Sequence, residues 1–140
     1  MEKTIKTVLA VIILTAIVFV SFNNLDDYDA ANYCEGNNSC IMNLVKESQN
    51  PNICDNSNKK NECYLTSALY FEEPNNCFKT NNTERCLFDY AVNSNQPDAC
   101  EYGENVTFCY YSYAIAKDNS TLCNITGEFE EMCQKRLIKE

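Results

Sequence analysis

The sequence predicts an all-α protein: a single N-terminal transmembrane helix followed by a short solenoid of five 23-residue αα-hairpin repeats, each stapled by a disulfide. Three observations predict it. Ten cysteines recur in two series, Cys54, Cys77, Cys100 and Cys123 in one and Cys40, Cys63, Cys86 and Cys109 in the other, both at a 23-residue period. A fixed period of that length marks a stacked repeat. Pro51, Pro74 and Pro97 keep the same period, each three residues ahead of a cysteine. Between Lys6 and Asp26 lie nineteen uncharged residues, TVLAVIILTAIVFVSFNNL, long enough at 1.5 Å per residue for a hydrocarbon core of about 30 Å.

Residues 1–25 read as a cytoplasmic stub and membrane anchor. Lys3 and Lys6 precede the apolar run and Asp26, Asp27 and Asp29 follow it, so the positive-inside bias exports everything after the span. A cleaved signal peptide would have the same polarity. The run ends IVFVSFNN, without the small residues that a signal peptidase needs, and a retained signal-anchor is expected. Residues 26–33 form an acidic juxtamembrane connector, and residues 34–140 the cysteine-stapled domain.

The repeats divide as 31–50, 51–73, 74–96, 97–119 and 120–140, with irregular ends: Cys34 stands only six residues before Cys40, and Cys133 is displaced by one. In each unit proline suits the first turn of a short helix, where its missing N–H would be unpaired anyway; Ser120 takes that place in the last unit. A polar loop such as DNSNKKNE leads to a second helix, expected to open at the second cysteine: CIMNLVK, CYLTSALYF, CLFDYAVN, CYYSYAIA. Five places after that cysteine stand Val45, Ala68, Ala91, Ala114 and Ile138, and the three alanines imply close helix contacts. Period-two alternation is absent, which argues against strands.

Ten cysteines in ordered spacing, with no histidine and no C-x-x-C, point to disulfides in an oxidising compartment and exclude zinc fingers and c-type haem attachment. Bonding within units (Cys34–Cys40, Cys54–Cys63, Cys77–Cys86, Cys100–Cys109, Cys123–Cys133) is the expected connectivity. The rival joins neighbouring units through Cys40–Cys54, Cys63–Cys77, Cys86–Cys100 and Cys109–Cys123 at a constant spacing of fourteen, and leaves Cys34 and Cys133 at opposite ends of the stack. The C-x8-C hairpin plan over residues 34 to 133 resembles the cysteine-rich Sel1-like repeats, although the period here is shorter. That resemblance implies an α-solenoid used for binding.

The chain carries 20 acidic and 11 basic residues; Glu2, Lys3 and Lys6 precede Asp26, so the exported part holds 19 and 9 and a net charge of −10. Such a balance disfavours nucleic-acid phosphates and anionic head groups as partners. Without histidine there is no Ser-His-Asp or Cys-His pair, and without G-x-G-x-x-G or a P-loop no nucleotide site; no cofactor or metal is expected. Asp26, Asp27 and Asp29 offer calcium oxygens but lack the spacing of a calcium loop. Glu72 with Glu73, and Glu128 with Glu130 and Glu131, are the paired acids that a remote reading as a carboxylate hydrolase would use. Solvated helix ends account for them more simply.

Five glycosylation sequons occur, at Asn37, Asn81, Asn105, Asn119 and Asn124, and all but Asn119 fall between the two cysteines of a unit. The run FCYYSYAIA raises a binding face of Tyr110, Tyr111 and Tyr113. Tyr111 points away from the other two on a helix, so the three cannot all be buried together. The expectation is a membrane-anchored extracytoplasmic module that binds a protein or a surface polymer without catalysis. The alternative is a self-associating component of a cell-envelope layer or filament.

Overall fold

The computed structural model describes residues 33–137, and the expected anchor (residues 7–25), the first part of the connector and Ile138 lie outside them. Among the described residues no helix is long and apolar enough to cross a membrane. They form an all-α chain of repeated helix–turn units. Five α-helices follow one another: α1 (Asn38–Ser48), α2 (Lys60–Phe71), α3 (Thr83–Ser94), α4 (Val106–Ala116) and α5 (Glu130–Leu137). A six-residue 3₁₀ helix precedes each of the last four: Pro51–Asn56, Pro74–Lys79, Pro97–Tyr102 and Ser120–Ile125. A further single turn, Gly127–Phe129, leads into α5.

Two expectations are corrected here. In each of the last four units the first helix is 3₁₀ and not α, so these units are not αα-hairpins. The tight winding brings the N–H of the residue three places after the cysteine onto that cysteine's carbonyl, at 3.0 to 3.2 Å for Ser57, Thr80, Gly103 and Thr126. The second helix also starts two or three residues before its cysteine and not at it. The first turn is polar in α2 (KNE) and α3 (TER), and two of the helices are capped: Asn37 accepts from the Cys40 N–H (3.1 Å) and Asn82 from the Arg85 N–H (2.9 Å).

The first four α-helices stop in the same way. Gln49, Glu72, Asn95 and Asp118 hold left-handed backbone, with φ of 54°, 58°, 57° and 52°. The next residue returns its N–H to a carbonyl five residues back, Glu73 to Ala68, Gln96 to Ala91 and Asn119 to Ala114. The chain then runs extended into the proline, whose ring disfavours α backbone at the residue before it. The repeat alanine therefore serves twice. Its methyl is wholly buried between helices, and its carbonyl accepts the bond that ends the helix.

Sequential α-helices pack side by side, and each proline-led 3₁₀ helix lies against both the α-helix before it and the one after it. The core is a row of cystines and apolar side chains. Cys54, Cys63, Cys77, Cys100, Cys123 and Cys133 have no exposed surface, and neither do Tyr64, Tyr90, Ile41 and Val45. Bonding is within units throughout: Cys34–Cys40, Cys54–Cys63, Cys77–Cys86, Cys100–Cys109 and Cys123–Cys133, with Cα atoms 5.4 to 5.5 Å apart. No described cysteine is free. In the chain-entropy account a loop of this size contributes about 2.5 kcal/mol, so a Cys77→Ser/Cys86→Ser variant is expected to lose about that much in chemical denaturation.

Among the described residues one buried polar side chain lacks a partner. The side-chain amide nitrogen of Asn76 is buried without a hydrogen-bond partner, at the position where the other units place Ile53, Ala99 and Leu122. A buried unsatisfied donor costs about 1–3 kcal/mol, so Asn76→Ala is expected to raise the thermal midpoint. A lower midpoint in calorimetry would refute that account.

Candidate functional site

Three surfaces follow from the repeat, and each gathers residues that the sequence singles out. The first is the edge formed by the loops between 3₁₀ and α-helix. Here the first turn of each α-helix reaches the loop of the next unit: Asn38 Oδ1 accepts from Ser57 Oγ (2.9 Å) and Asn61 Oδ1 from the Asn81 N–H (3.0 Å). The Glu84 carboxylate accepts from the Glu104 N–H (2.6 Å). Gly103 permits the last of these, because a Cβ there would stand 2.9 Å from the same carboxylate.

The sequons cluster along this edge but differ in geometry. Asn81 and Asn105 are exposed and their side chains accept no capping bond. Asn37 caps α1, and Asn119 accepts from both the N–H and the hydroxyl of Thr121. Asn124 is exposed, yet the hydroxyl of its sequon belongs to Thr126, which is fully buried and donates to the Cys123 carbonyl. An open groove of about 360 Å³ lies beside Asn81, lined by Asn58, Lys59, Lys60, Asn61 and Glu62. Its lysines are engaged, Lys59 with Glu62 (3.1 Å) and Lys60 with Asp55 (2.6 Å).

The second surface is acidic. Glu72 and Glu73 are exposed at the end of α2, and Glu130 and Glu131 in the first turn of α5 face Gln134 and Lys135 at 3.1 and 2.5 Å. These are i, i+4 pairs on solvated helix surface. No group of three or more metal-ligating side chains occurs among the described residues.

The third surface is aromatic, and it divides the tyrosine run. Tyr110 and Tyr113 are core residues, each only 5 % exposed, so the three tyrosines do not form one face. Buried phenols need a partner for the hydroxyl. Tyr110 donates to Glu101 (3.2 Å), as Tyr64 does to Asp55 (3.0 Å) at the equivalent position two units earlier; unit three has Phe78 and Leu87 in these places and needs no such bond. Tyr111 instead faces the last unit, where its ring stacks on Phe129 at 5.3 Å between centroids. Phe108 meets Phe129 edge-on at 5.7 Å and lies 6.3 Å from Tyr111.

This three-ring cluster sits at the junction of units four and five, with Phe108 and nearby Met132 each 54 % exposed. Neither Phe108 nor Phe129 stands out in the sequence. Phe108 is hidden among the tyrosines, and Phe129 lies inside the acidic stretch GEFEE, in the unit whose extra residue breaks the period. Glu128 and Glu130, singled out as acids, turn out to flank the ring that Tyr111 stacks on.

Comparison with protein-family models, with characterised proteins and with solved structures finds no match for this chain. Function rests on its own surfaces.

Burial, the Glu101 charge and the hydrogen bond to it push the Tyr110 phenol up to about 12 from an ordinary 10.0. Between those values the unfolded chain gives up this proton and the folded chain keeps it. The stabilisation is therefore complete below pH 10 and falls as pH rises towards 12. Burial also raises the Tyr90 phenol, so an ultraviolet titration is expected to show a late component that Tyr110→Phe diminishes by one tyrosine; an unchanged late component would contradict this burial.

Proposed function

We propose that this chain is a membrane-anchored, extracytoplasmic interaction module that acts by contact and not by chemistry. The observation that carries the reading is the aromatic cluster of Phe108, Tyr111 and Phe129, in which Phe108 stands exposed on two half-buried rings. Apolar surface left in solvent marks interaction sites, and aromatic residues are enriched there. The two units that bear the cluster are each locked by a disulfide, which holds the platform in shape before a partner arrives.

Five disulfides and no free described cysteine support an oxidising compartment. The nineteen-residue uncharged run, with lysines before it and aspartates after it, supports an anchor that leaves the repeats outside the cytoplasm. Asn81 and Asn105 are the sequons best placed to carry sugar, if the host provides it. The wide scatter of carboxylates, engaged at helix ends or fully solvated, supports a soluble acidic surface and not a hydrolase.

The test is a mild detergent extraction of the tagged chain from its native membranes without reductant, followed by mass spectrometry, run for the wild type and for Phe108→Ser. A stoichiometric partner held by the wild type and lost from the variant is expected. Recovery of a large regular homo-oligomer from both would replace this reading with the envelope-layer or filament alternative.

A further inference from the structure

The interaction reading leaves the partner's chemistry open, and resting on that reading we propose that the aromatic cluster receives a cationic polypeptide segment, one that carries arginine or lysine beside apolar side chains. The rings supply the first half of the argument. Phe108 and Phe129 meet edge to face while Tyr111 stacks on Phe129, so the exposed part of Phe108 is presented with its partners already fixed. An aromatic face attracts a guanidinium or ammonium through its quadrupole, and the long stem of either side chain can lie along apolar surface such as Met132.

Charge supplies the second half. Phe129 is bracketed by the exposed Glu128 and Glu130, and Glu128 makes no ion pair among the described residues. The local positive charges, Lys135 and Arg136, lie in the last turn of α5, and Lys135 is held by Glu131 at 2.5 Å. A basic segment laid over the rings therefore meets unpaired carboxylates at their margin.

The same charge disfavours a second copy of this chain as the occupant. Two exported parts at −10 each repel, and their apolar contact would have to form against that field.

Binding of two fluorescent peptides to the full chain in neutral detergent micelles tests this. One alternates arginine with glycine around a central leucine, and the other has glutamate in place of arginine. The arginine peptide is expected to bind saturably, about tenfold more weakly to Phe108→Ser, with the glutamate peptide not binding. A Glu128→Gln/Glu130→Gln variant, whose two positions are on the surface and whose amide at 130 can still accept from Gln134, is expected to keep its fold and to bind more weakly with a shallower salt dependence.

Equal binding to wild type and Phe108→Ser would mean diffuse attraction to an acidic surface and would overturn the proposal. So would no binding at all, or a dimer that Phe108→Ser dissociates. If a native partner is captured through Phe108 but the arginine peptide does not displace it, the interaction module stands and its cationic chemistry fails.

Discussion

The structure depends on one covalent constraint, repeated five times: a cystine that ties the front of each unit to the first turn of its α-helix. In four units it joins a six-residue 3₁₀ segment to a helix of eight to twelve residues, neither of which would persist alone. Because the sulfurs are buried at the centre of the row, the bridge is also the core. A chain with three glycines, three prolines and short helices thereby holds a shape that a conventional apolar interior of this size would support only weakly.

With each unit closed on itself, neighbours need only match at two edges. Along one, the repeat alanine lets successive helices approach, and larger side chains such as Tyr64, Leu87 and Tyr110 fill the space beside it. Along the other, polar groups in the first helical turn pair with the following loop, from Asn38 and Ser57 to Glu84 and Glu104. The Met42 sulfur touches Cys63 at 3.5 Å, so even the first, irregular unit docks onto its neighbour's disulfide. Such nearest-neighbour contacts make stability a sum of local terms.

The surface then differs from unit to unit although the scaffold does not. The place just after the first cysteine is Asp55, Phe78, Glu101 and Asn124 in turn, and its neighbour across the disulfide changes from tyrosine to leucine and back. Where Asp55 receives Tyr64, the Lys60 ammonium and that hydroxyl together hold its carboxyl below 3.8 in spite of partial burial. The aromatic cluster arises the same way. The position of Met42, Leu65 and Phe88 carries Tyr111 in unit four, and the last unit offers it Phe129.

Both cystine schemes share the 23-residue period, so the structure decided for the expected pairing within units. Sequence by itself determined the all-α class, the five units and the alanine stripe, because a steric requirement that recurs every 23 residues is visible without coordinates. It also separated Tyr111 from Tyr110 and Tyr113, because helical geometry alone turns one away from the others. Only the tertiary structure decided that the proline segment winds as a 3₁₀ helix and that the polar KNE and TER begin the next helix. Bonds such as those from Ser57 N–H to the Cys54 carbonyl and from Arg85 N–H to Asn82 Oδ1 accompany these turns and leave no apolar pattern. The same holds for the cluster: Phe108 and Phe129 are 21 residues apart and non-periodic, and they meet because two independently stapled units stack face to face.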